Sequence, residues 1–272
     1  MSETTTILFL HIPKTAGTTV HHILNNQYRS LPSFSISHPD QITHFENKSK
    51  EERSRIKVLK GHFAFGAHAY YSEPTTYFTF LREPIKRSIS SFNYLKSNRV
   101  FPFEKSEEQY SLKDLLKSGH KKNFDNCHVR FLAGATNLGY GEVNEETYQL
   151  ALSNFENYFD TFGICERFDE SLICLKQNLN WSMPFYVKAN VTEKQSYLSI
   201  FDEETYQLLN HYNKFDLLLY EHASKKFDAM IRSKGESFEK ELRRFKKLNS
   251  LQAPFRKFVR TVWQLFQPTN RN

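Results

Sequence analysis

A chain of 272 residues, 39% of them apolar, is long enough for one large α/β domain with a sizeable core or for two small ones. No stretch approaches the roughly 18 uninterrupted apolar residues of a transmembrane helix, and the run Ile7–Leu10 behind a polar start is too short for a signal-peptide core, so a cytoplasmic protein is expected. The net charge of +7 is concentrated after residue 224, where thirteen Lys/Arg face four Asp/Glu for a net of +9; the rest carries −2, and the basicity says little about the core.

Thr6-Ile-Leu-Phe-Leu-His11 is a short apolar run closed by Pro13, the pattern of a strand buried in a parallel sheet. The loop Ile12-Pro-Lys-Thr-Ala-Gly-Thr-Thr19 follows. Val20, Ile23, Leu24 and Tyr28 are then spaced for one helix face, with Thr18 or Thr19 as its cap. Ser30 to Lys50, polar and holding Pro32 and Pro39, reads as an irregular excursion. Ile56 to Lys60 is a second strand stopped by Gly61, and Thr75 to Leu81 a third, rich in β-formers. It ends at Arg82-Glu83-Pro84, after which Ile85, Ile89, Phe92 and Leu95 keep helical spacing. Asn98 to Lys122 is charged and partly helical, the composition of a mobile lid. Glu145 to Tyr158 is predicted helical, Phe162 to Cys165 is a fourth strand, Phe168 to Leu179 a helix ending before Trp181, and Glu203 to Leu219 another.

Strands alternating with helices predict an α/β fold, a P-loop-type central parallel sheet with helices on both faces. The economical division is one domain over 1–222 and a basic helical extension over 223–272. In the extension Phe255, Phe258, Val259, Val262, Trp263 and Phe266 form one helical stripe, with Arg256, Lys257 and Arg260 away from its centre. Such a helix suits peripheral contact with an anionic membrane surface, here the inner face, or docking on the domain or a second subunit. Cys127, Cys165 and Cys174 are odd in number, widely spaced and without CxxC, and read as reduced thiols, Cys165 as a buried strand residue. His21 and His22 are adjacent and point about 100° apart on a helix, so they cannot chelate one ion together. No metal site is expected.

Ligands of open α/β sheets sit at the carboxyl ends of strands, which directs attention to Pro13-Lys14-Thr15-Ala16-Gly17-Thr18-Thr19. Gly17 lets the backbone turn and approach a ligand, and the helix behind presents unpaired N–H groups to an anion. Lys14 adds a compact positive charge, and Thr15, Thr18 and Thr19 add hydroxyl donors. Every part suits a phosphate. The loop is not a Walker A sequence, since Lys14 precedes the glycine and the GxxxxGK[ST] order is absent. Leu81 to Phe92 offers a second anion site at a strand end, with Arg82 as a forked donor and Ser90 eight positions on, about two turns into the helix. Arg82, Lys86 and Arg87 could equally form the solvated face of an ordinary amphipathic helix.

His11-Ile-Pro-Lys-Thr-Ala-Gly-Thr-Thr19 resembles the 5′-phosphosulfate-binding loop of sulfotransferases that use 3′-phosphoadenosine-5′-phosphosulfate (PAPS). It is especially similar to the group of heparan sulfate 2-O- and 6-O-sulfotransferases and their bacterial relatives, with Ala16 where that family usually has Gly. Leu81–Phe92 resembles the family's 3′-phosphate motif, an arginine and a serine at this interval, with Glu83 in place of the common Asp. Lys60–Gly66, Asn126–Gly134, Gly163–Leu172 and Lys188–Thr192 are similar to further landmarks, so the resemblance runs from Ile7 to Tyr220.

The resemblance implies transfer of the sulfuryl group of PAPS to an acceptor hydroxyl, on a carbohydrate, with no metal. Pro13 to Thr19, Arg82 and Ser90 would hold the nucleotide, and so, by resemblance alone, would Asn190 and Thr192. Lys14 would neutralise the charge growing on the leaving phosphate. His62, emerging beside Gly61 at the same sheet edge, is the candidate general base, a role the family gives to a histidine in a similar Gly-His element; the alternative is a structural histidine closing the strand. His11 and His68 are weaker candidates, His11 being placed to support the loop from below. Arg130 is a candidate to bind an acidic acceptor, or to pair with Glu166 or Asp169. Two other readings compete: a P-loop-like ATP-dependent kinase, which lacks its Walker A, and a non-catalytic basic module for nucleic acid or sulfated glycan. The latter leaves both anion sites unused, and no nucleic-acid motif is present.

Overall fold

The computed structural model describes residues 5–97, 111–187 and 202–265, with side chains up to residue 252. β1 (Thr6–Leu10) is buried at all five positions, as its unbroken apolar run requires of a central parallel strand. After it come α1 (Gly17–Gln27), β2 (Ser33–Ile36), α2 (Pro39–Glu46), the short α3 (Lys50–Ser54) and β3 (Val58–Gly61). A 3-10 turn (Ala67–Tyr70) leads to β4 (Thr75–Leu81) and α4 (Pro84–Ser97). α5 (Leu112–Ser118), α6 (Cys127–Leu132), α7 (Glu145–Tyr158), β5 (Thr161–Ile164), α8 (Phe168–Leu179), α9 (Glu203–Tyr212) and α10 (Lys214–Leu265) complete the described chain.

The five strands are parallel in the order β2-β3-β1-β4-β5, with Leu10 opposite Gly61 and Phe9 opposite Phe78. The chain moves from β1 to one side through β2 and β3, then crosses to the other side at β4. Right-handed connections that leave in opposite directions put their helices on opposite faces, and they open a crevice at the carboxyl ends of β1, β3 and β4.

Three expectations change. Ser30–Lys50 is not irregular: it holds the edge strand β2 and helix α2. β2 buries only Ile36 of its four residues, and so lacks the apolar run that marks the inner strands. α2 begins with Pro39 behind a capping box of His38 and Gln41. Of the expected lid, residues 98–110 lie outside the described residues, while α5 is docked, with Leu112, Leu115 and Leu116 buried in one cluster with Ile85, Ile89 and Leu209. The division at 222 falls inside α10. Ala223, Phe227, Phe238, Leu242 and Phe245 are buried in the same core as the sheet, and Gly235, with φ 65° and ψ −158°, lets the helix bend as it returns. The side chains of the stripe from Phe255 onward lie outside the described ones.

Candidate active site at the carboxyl edge of the sheet

His11 follows β1, and its N–H donates to the Gly61 carbonyl at 2.8 Å, tying the ends of β1 and β3 together. Thr79 Oγ1 donates to Leu10 O at 2.8 Å from the other neighbour. The loop that starts there contains two left-handed non-glycine residues, Lys14 with φ 69° and Ala16 with φ 62°. Each such residue costs about 1–2 kcal/mol. A glycine at 16 would be free of that cost, so Ala16 is not a neutral departure from the resembled loop. The turn leaves the amides of Thr15, Ala16, Gly17 and Thr18 without a protein acceptor among the described residues, at the N-terminus of α1.

The side chains of the loop divide differently from expectation. Thr15 is buried and its hydroxyl donates to Ile12 O at 2.7 Å, so it braces the loop instead of facing a ligand. Thr18 is exposed, Thr19 is buried, and Pro13 is half-buried. A Cβ at Gly17 would fall 1.7 Å from His11 Nε2. Glycine is therefore required here by the imidazole packed beneath it, whatever binds above.

The Lys14 ammonium rests 4.2 Å from the centre of the Tyr94 ring. Its backbone carbonyl accepts from Arg82 Nη1 at 3.1 Å. Burial, and after it the Arg82 guanidinium, lower the Lys14 pKa. Neither cation has a carboxylate partner among the described residues, which is what an oxyanion would supply. Ser90 is half-buried and four residues before Tyr94 on α4, so it shares the helix face that meets Lys14. Glu83 caps α4, its carboxylate accepting from the amides of Ile85 at 3.0 Å and Lys86 at 2.7 Å. The alternative of a solvated basic face fails at Arg87, which is fully buried and donates to Asn123 O at 2.5 Å.

His62 stands where β3 ends. Gly61 has φ 134°, and a Cβ there would lie 2.0 Å from Ile36 O; the His62 amide donates to the same oxygen at 2.7 Å. Its ring Nδ1 lies 2.7 Å from His11 O. A carbonyl only accepts, so Nδ1 carries the proton and Nε2 holds the lone pair. Burial lowers the His62 pKa, the bond to His11 O partly offsetting it. The ring stacks on His11 with centroids 4.3 Å apart, and His11 Nδ1 is 3.3 Å from His21 Nε2. Burial first, then neighbouring cationic forms, push His11 well below the usual histidine range and His21 to about 4. All three imidazoles are thus neutral near pH 7.

Other candidates go elsewhere. His68 binds the Tyr77 hydroxyl, its amide at 3.0 Å and Nδ1 at 3.2 Å, away from the loop. Arg130 is 2% exposed and its guanidinium is filled by Asp125, Leu138 O and Gly139 O. It neither faces an acceptor nor pairs with Glu166 or Asp169; it holds the chain around α6. Asn190 and Thr192 lie outside the described residues. Cys127, Cys165 and Cys174 are free thiols, and burial raises Cys127 and Cys174 to about 11. Cys165 falls in a 3-10 turn after β5 rather than in the strand. His21 and Tyr94 are site neighbours that sequence reading missed. The available signal for His21 was its place four residues after Gly17, on the helix face that meets His11.

A family model described as galactose-3-O-sulfotransferase matches residues 2–253. Galactose-3-O-sulfotransferase 3 of Bos taurus is 30% identical over 257 residues, covering 85% of this chain and 59% of the relative. Galactose-3-O-sulfotransferase 2 of Mus musculus is 28% identical, covering 82% of this chain and 62% of the relative. The galactosylceramide sulfotransferase of Bos taurus is 25% identical, covering 86% and 59%. The chain spans about three fifths of the length of these curated relatives. A mouse sulfotransferase, SULT7A1, solved in complex with PAP, covers 78% of this chain and 65% of its own at 12% identity and a TM-score of 0.38, too distant to carry an argument. The relatives overturn the cytoplasmic placement, including its inner membrane face. A chain that spans three fifths of its relatives does not disclose location through its first residues. Among the described residues no helix is long and apolar enough to cross a membrane.

Proposed function

The chain belongs to the galactose-3-O-sulfotransferase family, and from that premise we propose that it transfers the sulfuryl group of PAPS to a hydroxyl of a galactose-containing glycan. The observation that carries the reading is the meeting, at the ends of three adjacent strands, of an anion-ready loop with Lys14, the Arg82 guanidinium and a neutral His62. The residues present fit a nucleotide with two anionic ends. Thr15–Thr18 amides and Lys14 suit the 5′-phosphosulfate, and Arg82 with the Ser90 face of α4 suits the 3′-phosphate. PAPS supplies the activated sulfuryl group.

His62 Nε2 accepts the proton of the acceptor hydroxyl as that oxygen forms its bond to sulfur. Lys14 and the loop amides neutralise the charge that grows on the phosphate oxygen as its bond to sulfur breaks. The stacked, neutral His11 leaves His62 free of an adjacent positive charge while it takes the proton. Arg82 holds the leaving nucleotide without entering the bond change.

Thermal unfolding tests the reading against the kinase alternative. Adenosine 3′,5′-bisphosphate at a hundred times its dissociation constant should add about 2.7 kcal/mol of stability. ADP, lacking the 3′-phosphate, should add far less, and radiolabelled sulfate should pass from PAPS to galactose-terminated oligosaccharides. Equal stabilisation by the two nucleotides would sink the assignment.

A further inference from the structure

The His11 imidazole is confined on four sides. Gly17 meets its Nε2 edge, close enough that a Cβ would fall 1.7 Å away. Phe9 lies against it at 5.4 Å with 10° between planes, and His62 at 4.3 Å with 29°. His21 Nε2 faces its Nδ1 at 3.3 Å and fixes the ring's rotation. Gly17 opens α1 and belongs to the anion loop; His62 is the candidate base just past the end of another strand. A ring packed this tightly cannot move without moving a neighbour. Its own backbone carbonyl is also the acceptor that sets the His62 tautomer.

We propose that His11 is a positioning residue that couples the anion loop to the base: the place of α1's first turn sets the ring, and the ring sets His62. This rests on the sulfotransferase reading for its catalytic meaning, but the mechanical coupling does not. The consequence is that filling the loop reaches the base before any acceptor arrives. Phenylalanine could fill the space under Gly17 but could not hold the bond to His21, which is the reason for an imidazole here.

The test reads the ring ¹⁵N and ¹H signals of His62 by NMR, which report tautomer and titration midpoint without turnover. The charged or titratable groups around that ring are His11 from the end of β1, His38 from the cap of α2, and, behind His11, Lys14, His21 and Lys60. Gly17→Ala should move the His62 midpoint by about half a unit or more, although residue 17 does not touch it. In a His11→Asn background, without the ring, the same change should have almost no effect, the signature of a double-mutant cycle. If His11→Asn fails to fold, His21→Ala, which frees the ring to rotate, should shrink the response instead. A His62 midpoint indifferent to Gly17→Ala, or shifted equally in both backgrounds, overturns the coupling. With adenosine 3′,5′-bisphosphate, His62 should shift in the native chain and not in His11→Asn; absence of nucleotide binding would sink the sulfotransferase reading while leaving the cycle decisive. Turnover of His11→Asn should fall about tenfold, with nucleotide affinity within about threefold.

Discussion

Burial lowers the pKa of both His62 and Lys14, with opposite consequences for their work. A base must be neutral, so a histidine held below its ordinary 6.5 stays ready to accept a proton through more of the neutral range. A charge neutraliser must be protonated, so a lysine held below 10.5 loses its role earlier on the alkaline side. The pH profile of kcat/KM should therefore have an acid limb below 6.5 and an alkaline limb below 10.5. His62→Ala should reduce turnover by about 10²–10⁴-fold, abolish the acid limb and leave nucleotide affinity unchanged. Lys14→Ala should reduce turnover by about 10²–10³-fold and also weaken the nucleotide, because that side chain acts in the ground state as well. Isothermal titration with adenosine 3′,5′-bisphosphate separates the two. A His62→Ala enzyme that keeps its acid limb would move the base elsewhere and leave the loop assignment standing.

Among elements, α6 and α10 cap each other. Asn126, left-handed at φ 44°, accepts at Oδ1 from the amides of Phe215 at 2.9 Å and Asp216 at 3.1 Å. Asp216 in return accepts from the amides of His128 and Val129, each at 2.9 Å. All of these groups are buried. Asn126→Ala should lower unfolding free energy by about 2–4 kcal/mol, since it strands two buried amides and puts alanine, without the short polar side chain that lets asparagine tolerate it, in the left-handed region; urea unfolding measures it, and a loss under about 1 kcal/mol would show that the reciprocal caps matter little. No such pairing could be read from sequence, because it joins residues 90 positions apart. What was legible depended on period and punctuation. The three inner strands and the fully buried edge strand β5 announce themselves by apolar runs, and α7 and α8 begin and end where their spacing does. β2 escaped because an edge strand with one buried residue has little apolar pattern to show. The candidate site followed the same divide: Lys14, Gly17, Arg82 and His62 stand out in the sequence by chain position next to strand ends, whereas the partners of Thr15 and Arg130 depend on contacts that spacing does not encode. Arg130, long and charged, looked like a ligand group and proved to be filled by Asp125 and two carbonyls.

At the scale of the whole molecule, the misplaced boundary at residue 222 shows what a charge count can hide. The stretch after it is strongly basic, yet its apolar residues carry a helical period that puts Phe227, Phe238, Leu242 and Phe245 in the core of the sheet domain. Its charges mostly point outward; Arg243, Arg244, Lys246 and Lys247 are exposed. Phe245 lies 5.8 Å from Phe185 and Asn249 accepts from the Tyr186 amide at 2.9 Å, so the returning half of α10 also covers the segment after α8. Burying a large apolar side chain is worth about 1.5–3 kcal/mol, so the four core residues together contribute about 6–12 kcal/mol, comparable to the whole net stability of a domain, about 5–15 kcal/mol. A chain ended at residue 222 should therefore lack cooperative unfolding and expose apolar surface, whereas one ended at residue 253, where the family match stops, should unfold cooperatively and bind adenosine 3′,5′-bisphosphate. Calorimetry of the two truncations decides it: a cooperative transition in the shorter chain would mean that α10 is an appendage after all, and that the core closes around the sheet without it.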